Sequence, residues 1–171
     1  SALRGCSNLT SIADDIDWIN SVTNGNSMFN GNSLTSLPSI MTLANLDTAT
    51  SMFYLNNLTE LPSGMTLDSL TIGNSMFREN SLTGLGNSMT LSSLDNGSNM
   101  FEDNDLTTLS NAMTLASLTN GNRMFYQNNL TTLPSSMTLA SLTDGTFMFR
   151  FTTINTTRYS QLLVDLEANN P

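Results

Sequence analysis

The chain has 171 residues, 39% hydrophobic and 11% charged, with a formal charge of −9 carried against five arginines, no lysine and no histidine. Phosphate binding rests on clustered Lys and Arg, so the balance excludes nucleic acid and anionic membrane surfaces as partners. Without histidine the commonest general base and metal ligand are gone, and one cysteine, Cys6, excludes an internal disulfide or a multi-cysteine zinc site.

Residues 1–27 read as an atypical first coil of a single domain spanning 1–171. Leu9 and Ile12 stand 25 residues before Leu34 and Leu37, one more than the later spacing. Nothing at Ser1 resembles a charged-then-apolar leader, and the chain reads as a piece excised from a longer protein. No stretch approaches the roughly 18 apolar residues of a membrane span, so no membrane insertion is expected.

From 28 to 151 the sequence repeats every 24 residues. Met-Phe begins at 28, 52, 76, 100, 124 and 148, and Met-Thr-Leu at 41, 65, 89, 113 and 137; together these hold all 11 methionines. Leucine columns run through Leu34, Leu58, Leu82, Leu106 and Leu130, and again through Leu37, Leu61, Leu85, Leu109 and Leu133. One such unit cannot bury its own apolar face, but stacked neighbours can. Met-Thr-Leu alternates like a short strand, Met and Leu inward and Thr outward. Gly25, Gly73, Gly97, Gly121 and Gly145, four residues before the Phe in every unit but the second, which has Ala49, are placed for a turn with positive φ. Asn32, Asn56, Asn80, Asn104 and Asn128 are expected to bond backbone groups of their own and adjacent coils. Cys6 is expected to be buried in the same ladder.

Residues 152–171 depart from the repeat. Tyr159, Leu162, Leu163 and Leu166 fall at helical spacing, predicting an amphipathic helix over about 156–167 laid across the last coil.

Leu3-Arg4-Gly5-Cys6-Ser7-Asn8-Leu9-Thr10-Ser11-Ile12, the Met-Phe units with Asn in place of Cys, and the ending Tyr159-Ser160-Gln161-Leu162-Leu163 through Asn169-Asn170 resemble the BspA-like leucine-rich repeats and the related Met-Phe repeat of bacterial surface proteins and lipoproteins. The resemblance implies a leucine-rich array displayed outside the cell, used in adhesion and in protein or glycan recognition, with no catalytic residues. The expected fold is therefore a mainly β repeat protein: a right-handed leucine-rich-repeat-type solenoid of 24-residue coils with a C-terminal capping helix.

No nucleophile has a base to activate it, so no enzyme and no cofactor are expected. Glu102, Asp103 and Asp105, with Asp95 one coil back, read as a solvated acidic patch rather than a metal site. Variation within the fixed frame marks the candidate binding residues. Directly after the Phe column stand Tyr54, Arg78, Glu102, Tyr126 and Arg150, varied in charge, size and aromaticity. Tyr and Arg favour binding hot spots, and the expected partner is a host or partner cell-surface protein or glycan. Two alternatives remain open. Exposed threonine columns, chiefly Thr42, Thr66, Thr90, Thr114 and Thr138, would suit an ice-binding face, and a module with no binding of its own would suit a spacer or stalk.

Overall fold

Every 24 residues the backbone returns to lie beside itself. The computed structural model describes residues 3–169, with the side chains of 158 and 165–169 outside the description. Ser1 and Asn170 therefore lie outside the described residues, as does the side chain of Leu166. Asn24, Thr48, Ile72, Asn96, Asn120 and Asp144 pair in parallel, each with the residue 24 positions on.

These pairings are isolated bridges, and that overturns the expected architecture. Among the described residues there is no strand and no sheet, one α-helix and one short 3-10 helix. The chain is not a β leucine-rich-repeat solenoid but a stack of turns. The reason lies in the backbone between Gly and Phe. In the third unit Gly73, Ser75, Phe77 and Glu79 donate their N–H groups forward to the carbonyls of Asn96, Ser98, Met100 and Glu102, all at 2.9 Å. The N–H groups of Met76 and Arg78 turn back locally, to the carbonyls of Gly73 (3.0 Å) and Ser75 (3.3 Å). A strand alternates its donors between two neighbours, whereas here alternate donors face one neighbour and the rest close turns. Left-handed backbone makes this possible: Ser75 has φ 54° and Glu79 φ 52°. The same two places are left-handed in every regular unit, from Ser27 and Gly31 to Phe147 and Phe151.

The glycines do not serve the expected turn, since none of the five has positive φ. They make room. A Cβ on Gly97 would sit 2.9 Å from a Leu94 methyl and 3.2 Å from the Met124 sulfur of the next unit. Met-Thr-Leu is not a strand either, because Leu43, Leu67 and Leu91 have φ between 53° and 55°. Its Met and Leu side chains are nonetheless buried.

Phe29, Phe53, Phe77, Phe101, Phe125 and Phe149 form a continuous stack, ring centroids 5.4–5.6 Å apart and planes within 8°. Such pairs add about 0.5–1.5 kcal/mol each beyond burial. The asparagine column sits where the hydrogen bonding changes direction. After it, N–H groups point backward, as Ser81 to the Leu58 carbonyl (2.9 Å) and Thr83 to that of Thr59 (3.2 Å). At this corner the Asn104 amide donates to the carbonyls of Phe77 (2.9 Å) and Phe101 (3.2 Å), and its oxygen accepts from Leu82 N–H (3.0 Å). Asn56, Asn80 and Asn128 do the same one unit apart, as the sequence predicts.

At the N-terminal end Gly5 N–H reaches the Asn30 carbonyl (2.8 Å), and the 3-10 helix Asp17–Ser21 buries Ile19. Cys6 is exposed, contrary to the expected buried ladder position. At the other end α1, Thr156–Asn169, starts on the Asn155 carbonyl, which accepts from Tyr159 N–H (3.3 Å). Tyr159 meets Phe149 edge-on at 6.3 Å, and Leu162 is buried.

Asn104→Asp keeps the shape of the corner but replaces the donor with a carboxylate facing two carbonyls. A cost of at least about 3 kcal/mol in urea unfolding is expected, larger than for Asn104→Ala, because a buried charge is added to the lost bonds.

Candidate recognition rim

The residues directly after each Phe, and those flanking them, project from one side of the stack. Because successive units are in register, side chains 24 positions apart become neighbours there. The Arg78 guanidinium lies over the Tyr54 ring, 5.5 Å from its centroid, and its Nη2 is 3.2 Å from Glu79 Oε1. The Tyr54 hydroxyl donates to the same Glu79 oxygen at 3.2 Å. Arg78 Nε lies 3.2 Å from Glu102 Oε2, an ion pair whose poor alignment leaves that N–H without a true hydrogen bond.

Glu102 is the centre of the arrangement and is only 2% exposed. Its other oxygen, Oε1, is 3.3 Å from Arg123 Nη1, and the Asn99 amide donates to Oε2. Arg123 in turn covers the Tyr126 ring at 4.6 Å. Tyr126 meets Phe151 edge-on at 5.2 Å, and Arg150 stacks on both Phe147 and Phe151 at 4.8 Å. A single run of contacts thus passes from Tyr54 through Arg78, Glu102, Arg123 and Tyr126 to Phe151 and Arg150.

The five candidate residues are brought together, but not in equivalent roles. Tyr54, Arg78 and Tyr126 are half-buried and Arg150 is exposed. Glu102 is beneath the surface and cannot be a contact residue; it positions two guanidiniums. Arg123 and Phe147 belong to the rim and stand outside the columns after Phe, whereas Glu79 and Phe151 stand in the second position after Phe, which varies as the first does. Arg123 and Phe147 do carry a sequence signal, since both replace the Ser that precedes Met at 27, 51 and 75.

Asp103 sits beside this cluster, and its carboxyl is raised above the ordinary range by burial first and by the neighbouring Glu102 charge second, with Arg78 opposing. A carboxyl raised on folding favours the folded state below its ordinary pKa and loses that contribution as pH rises through the raised value. Asp95 and Asp105 are engaged elsewhere, Asp95 accepting from the Thr119 hydroxyl (2.5 Å) and Asp105 from the Asn129 amide (3.3 Å). Among the described residues no group of three or more His, Cys, Asp or Glu is placed to hold a metal.

The threonine face differs from expectation. Thr42, Thr66, Thr90 and Thr114 are half-buried and only Thr138 is exposed. Their hydroxyls do not match: Thr42 bonds the Asn20 side chain (3.2 Å), Thr90 bonds Asp68, and the Thr66 hydroxyl is buried without a partner. The exposed column is the other one, Thr35, Thr59, Thr83, Thr107 and Thr131, where Thr83 and Thr107 turn their hydroxyls onto the preceding threonine's carbonyl at 3.4 Å.

No protein-family model matches the chain, and no match is found among curated proteins.

Replacing both Arg78 and Arg123 with Met leaves the Glu102 carboxylate buried without a countercharge. A loss of about 1–3 kcal/mol in thermal or urea unfolding is expected, and Glu102→Gln in that background should restore most of it.

Proposed function

We propose that the chain is a non-catalytic recognition module, displayed outside the cell, whose rim of Tyr54, Arg78, Arg123, Tyr126 and Arg150 binds an anionic group on a cell-surface glycan or protein. The observation that carries this reading is the buried Glu102. It holds two guanidiniums beside two tyrosine rings before any partner arrives, so little side-chain freedom is lost on binding. Aromatic faces and guanidinium edges together suit a sugar ring or peptide bearing a carboxylate.

Charge supports the same reading. The chain carries −9 overall, yet three of its five arginines stand on this rim. Among the described residues no carboxylate pairs with Arg150, whose guanidinium rests between two phenylalanine rings. Phe151 and Phe147 are largely exposed at left-handed backbone, a conformation costing a bulky residue about 1–2 kcal/mol. The likeness to bacterial surface repeats points the same way.

A screen of acidic glycans and whole cells tests the proposal. The purified chain is expected to bind a carboxylated ligand with an affinity that falls as salt is raised. Arg150→Ala with Tyr126→Ala should weaken that binding at least tenfold while leaving the melting temperature nearly unchanged. Equal binding by the variant, or no ligand in the screen, would overturn the reading in favour of a spacer.

A further inference from the structure

The last coil keeps the backbone of the others, but α1 follows it instead of another coil. One unit earlier, Gly121, Arg123, Phe125 and Gln127 donate to the carbonyls of Asp144, Thr146, Met148 and Arg150 at 2.8–3.0 Å. The corresponding N–H groups of Gly145, Phe147, Phe149 and Phe151 have no acceptor among the described residues. Phe147 and Phe151 hold φ of 59° and 62°, the left-handed values that aim this row elsewhere in the stack. Carbonyls of the same stretch are taken locally. Met148 N–H donates to that of Gly145 (3.0 Å), Arg150 N–H to that of Phe147 (3.0 Å) and the Thr152 hydroxyl to that of Phe149 (2.7 Å). This face therefore donates without accepting.

Helix α1 covers the face only in part. Leu162 is buried and Tyr159 meets Phe149 edge-on, yet a cavity of about 770 Å³ lies between the coil and the helix. Leu139, Leu142, Ile154, Leu162 and the half-exposed Leu163 wall it, with Gly145, Phe147, Phe149 and Arg150 along one side. Inside the stack the equivalent space is filled by a thioether, as Met148 packs its sulfur over Gly121, whereas Gly145 is exposed and has only Leu142 beside it. The volume falls within the range of about 300–1,000 Å³ common to small-molecule sites.

We infer that this cavity binds a fatty carboxylate, its hydrocarbon chain between the last coil and α1 and its carboxylate on the N–H groups of Gly145, Phe147 and Phe149. The leucine and isoleucine walls take the chain, since burying it there removes apolar surface from water on both sides. Backbone N–H groups turned to one side attract anions, and their bonds to a carboxylate are charge-assisted. The Arg150 guanidinium, at the same wall, adds its charge. A peptide segment would bring N–H groups to a face with no carbonyl to offer them, whereas a carboxylate only accepts. Arg150 borders both this cavity and the rim, but the hydrocarbon chain is bound only here, so the two sites stand or fall separately.

Laurate below its micelle concentration, titrated by calorimetry and by NMR, tests the inference, with dodecyltrimethylammonium as the cationic counterpart. Laurate is expected to bind saturably and at least about tenfold more tightly than the cation. The amide signals of Gly145, Phe147 and Phe149 should move during the titration, while those of Gly73 and Phe77 stay in place. Leu163→Trp sets an indole at the mouth of the cavity, from a position that is already half exposed. It should weaken laurate binding at least about tenfold without lowering the melting temperature or changing what the rim binds. Absence of saturable laurate binding would overturn the inference. So would equal affinity for the cation, signals that move only outside the cavity, or a Leu163→Trp chain that binds laurate as the wild type does. Binding to phosphatidylglycerol vesicles without binding to monomeric laurate also counts against it, because the partner is then a membrane surface.

Discussion

The stack depends on a backbone that sends alternate N–H groups in one direction. Two left-handed residues per unit, such as Ser75 and Glu79, are what turn those groups to the same side. Each such residue costs about 1–2 kcal/mol, and the four forward hydrogen bonds they align offset it. Everything else in a unit is arranged around this choice. Forward donors run as far as the second residue after the Phe, backward donors begin after the Asn, and the Asn amide supplies the groups that the reversal would leave unpaired. Gly25, Gly73, Gly97 and Gly121 leave space for the next unit's thioether, so core packing and backbone direction are set at the same place.

Much of this was legible in the sequence. The 24-residue period, the buried Met, Phe and Leu columns, the role of the asparagines and the start of α1 all follow from spacing and side-chain chemistry. What misled was the backbone between the columns. Met-Thr-Leu alternates in burial as a strand would, yet Leu43, Leu67 and Leu91 are left-handed, and β-like patterning cannot distinguish the two. Glycine points to the wrong residue, since the positive φ falls two positions later, on Ser27, Ser75 and Arg123, residue types that advertise no such conformation, and on Asn99, which does tolerate it. Cys6 stands where the sequence places an inward column but lies on the surface instead.

The rim was half legible for a related reason. Variation after each Phe identified the correct side of the molecule, and Tyr54, Arg78, Tyr126 and Arg150 do gather there. Variation alone says nothing of depth. Glu102 differs from its column mates as they differ from each other, but Arg78 and Arg123 lie on either side of it and draw it beneath the surface. Arg123 stands before its Met rather than after its Phe, and only the register of neighbouring units brings it beside Tyr126.

Amide hydrogen exchange, read residue by residue by NMR, tests the one-way donor row most directly, because it reports which N–H groups are tied up and how firmly. The N–H groups of Ser51, Phe53, Ser75, Phe77, Asn99 and Phe101 should exchange only with global unfolding, while those of Phe147, Phe149 and Phe151 exchange fast in dilute solution. Uniform protection along consecutive residues of Met-Thr-Leu, with rapid exchange at Phe53, Phe77 and Phe101, would instead show a strand ladder and contradict the directional stack.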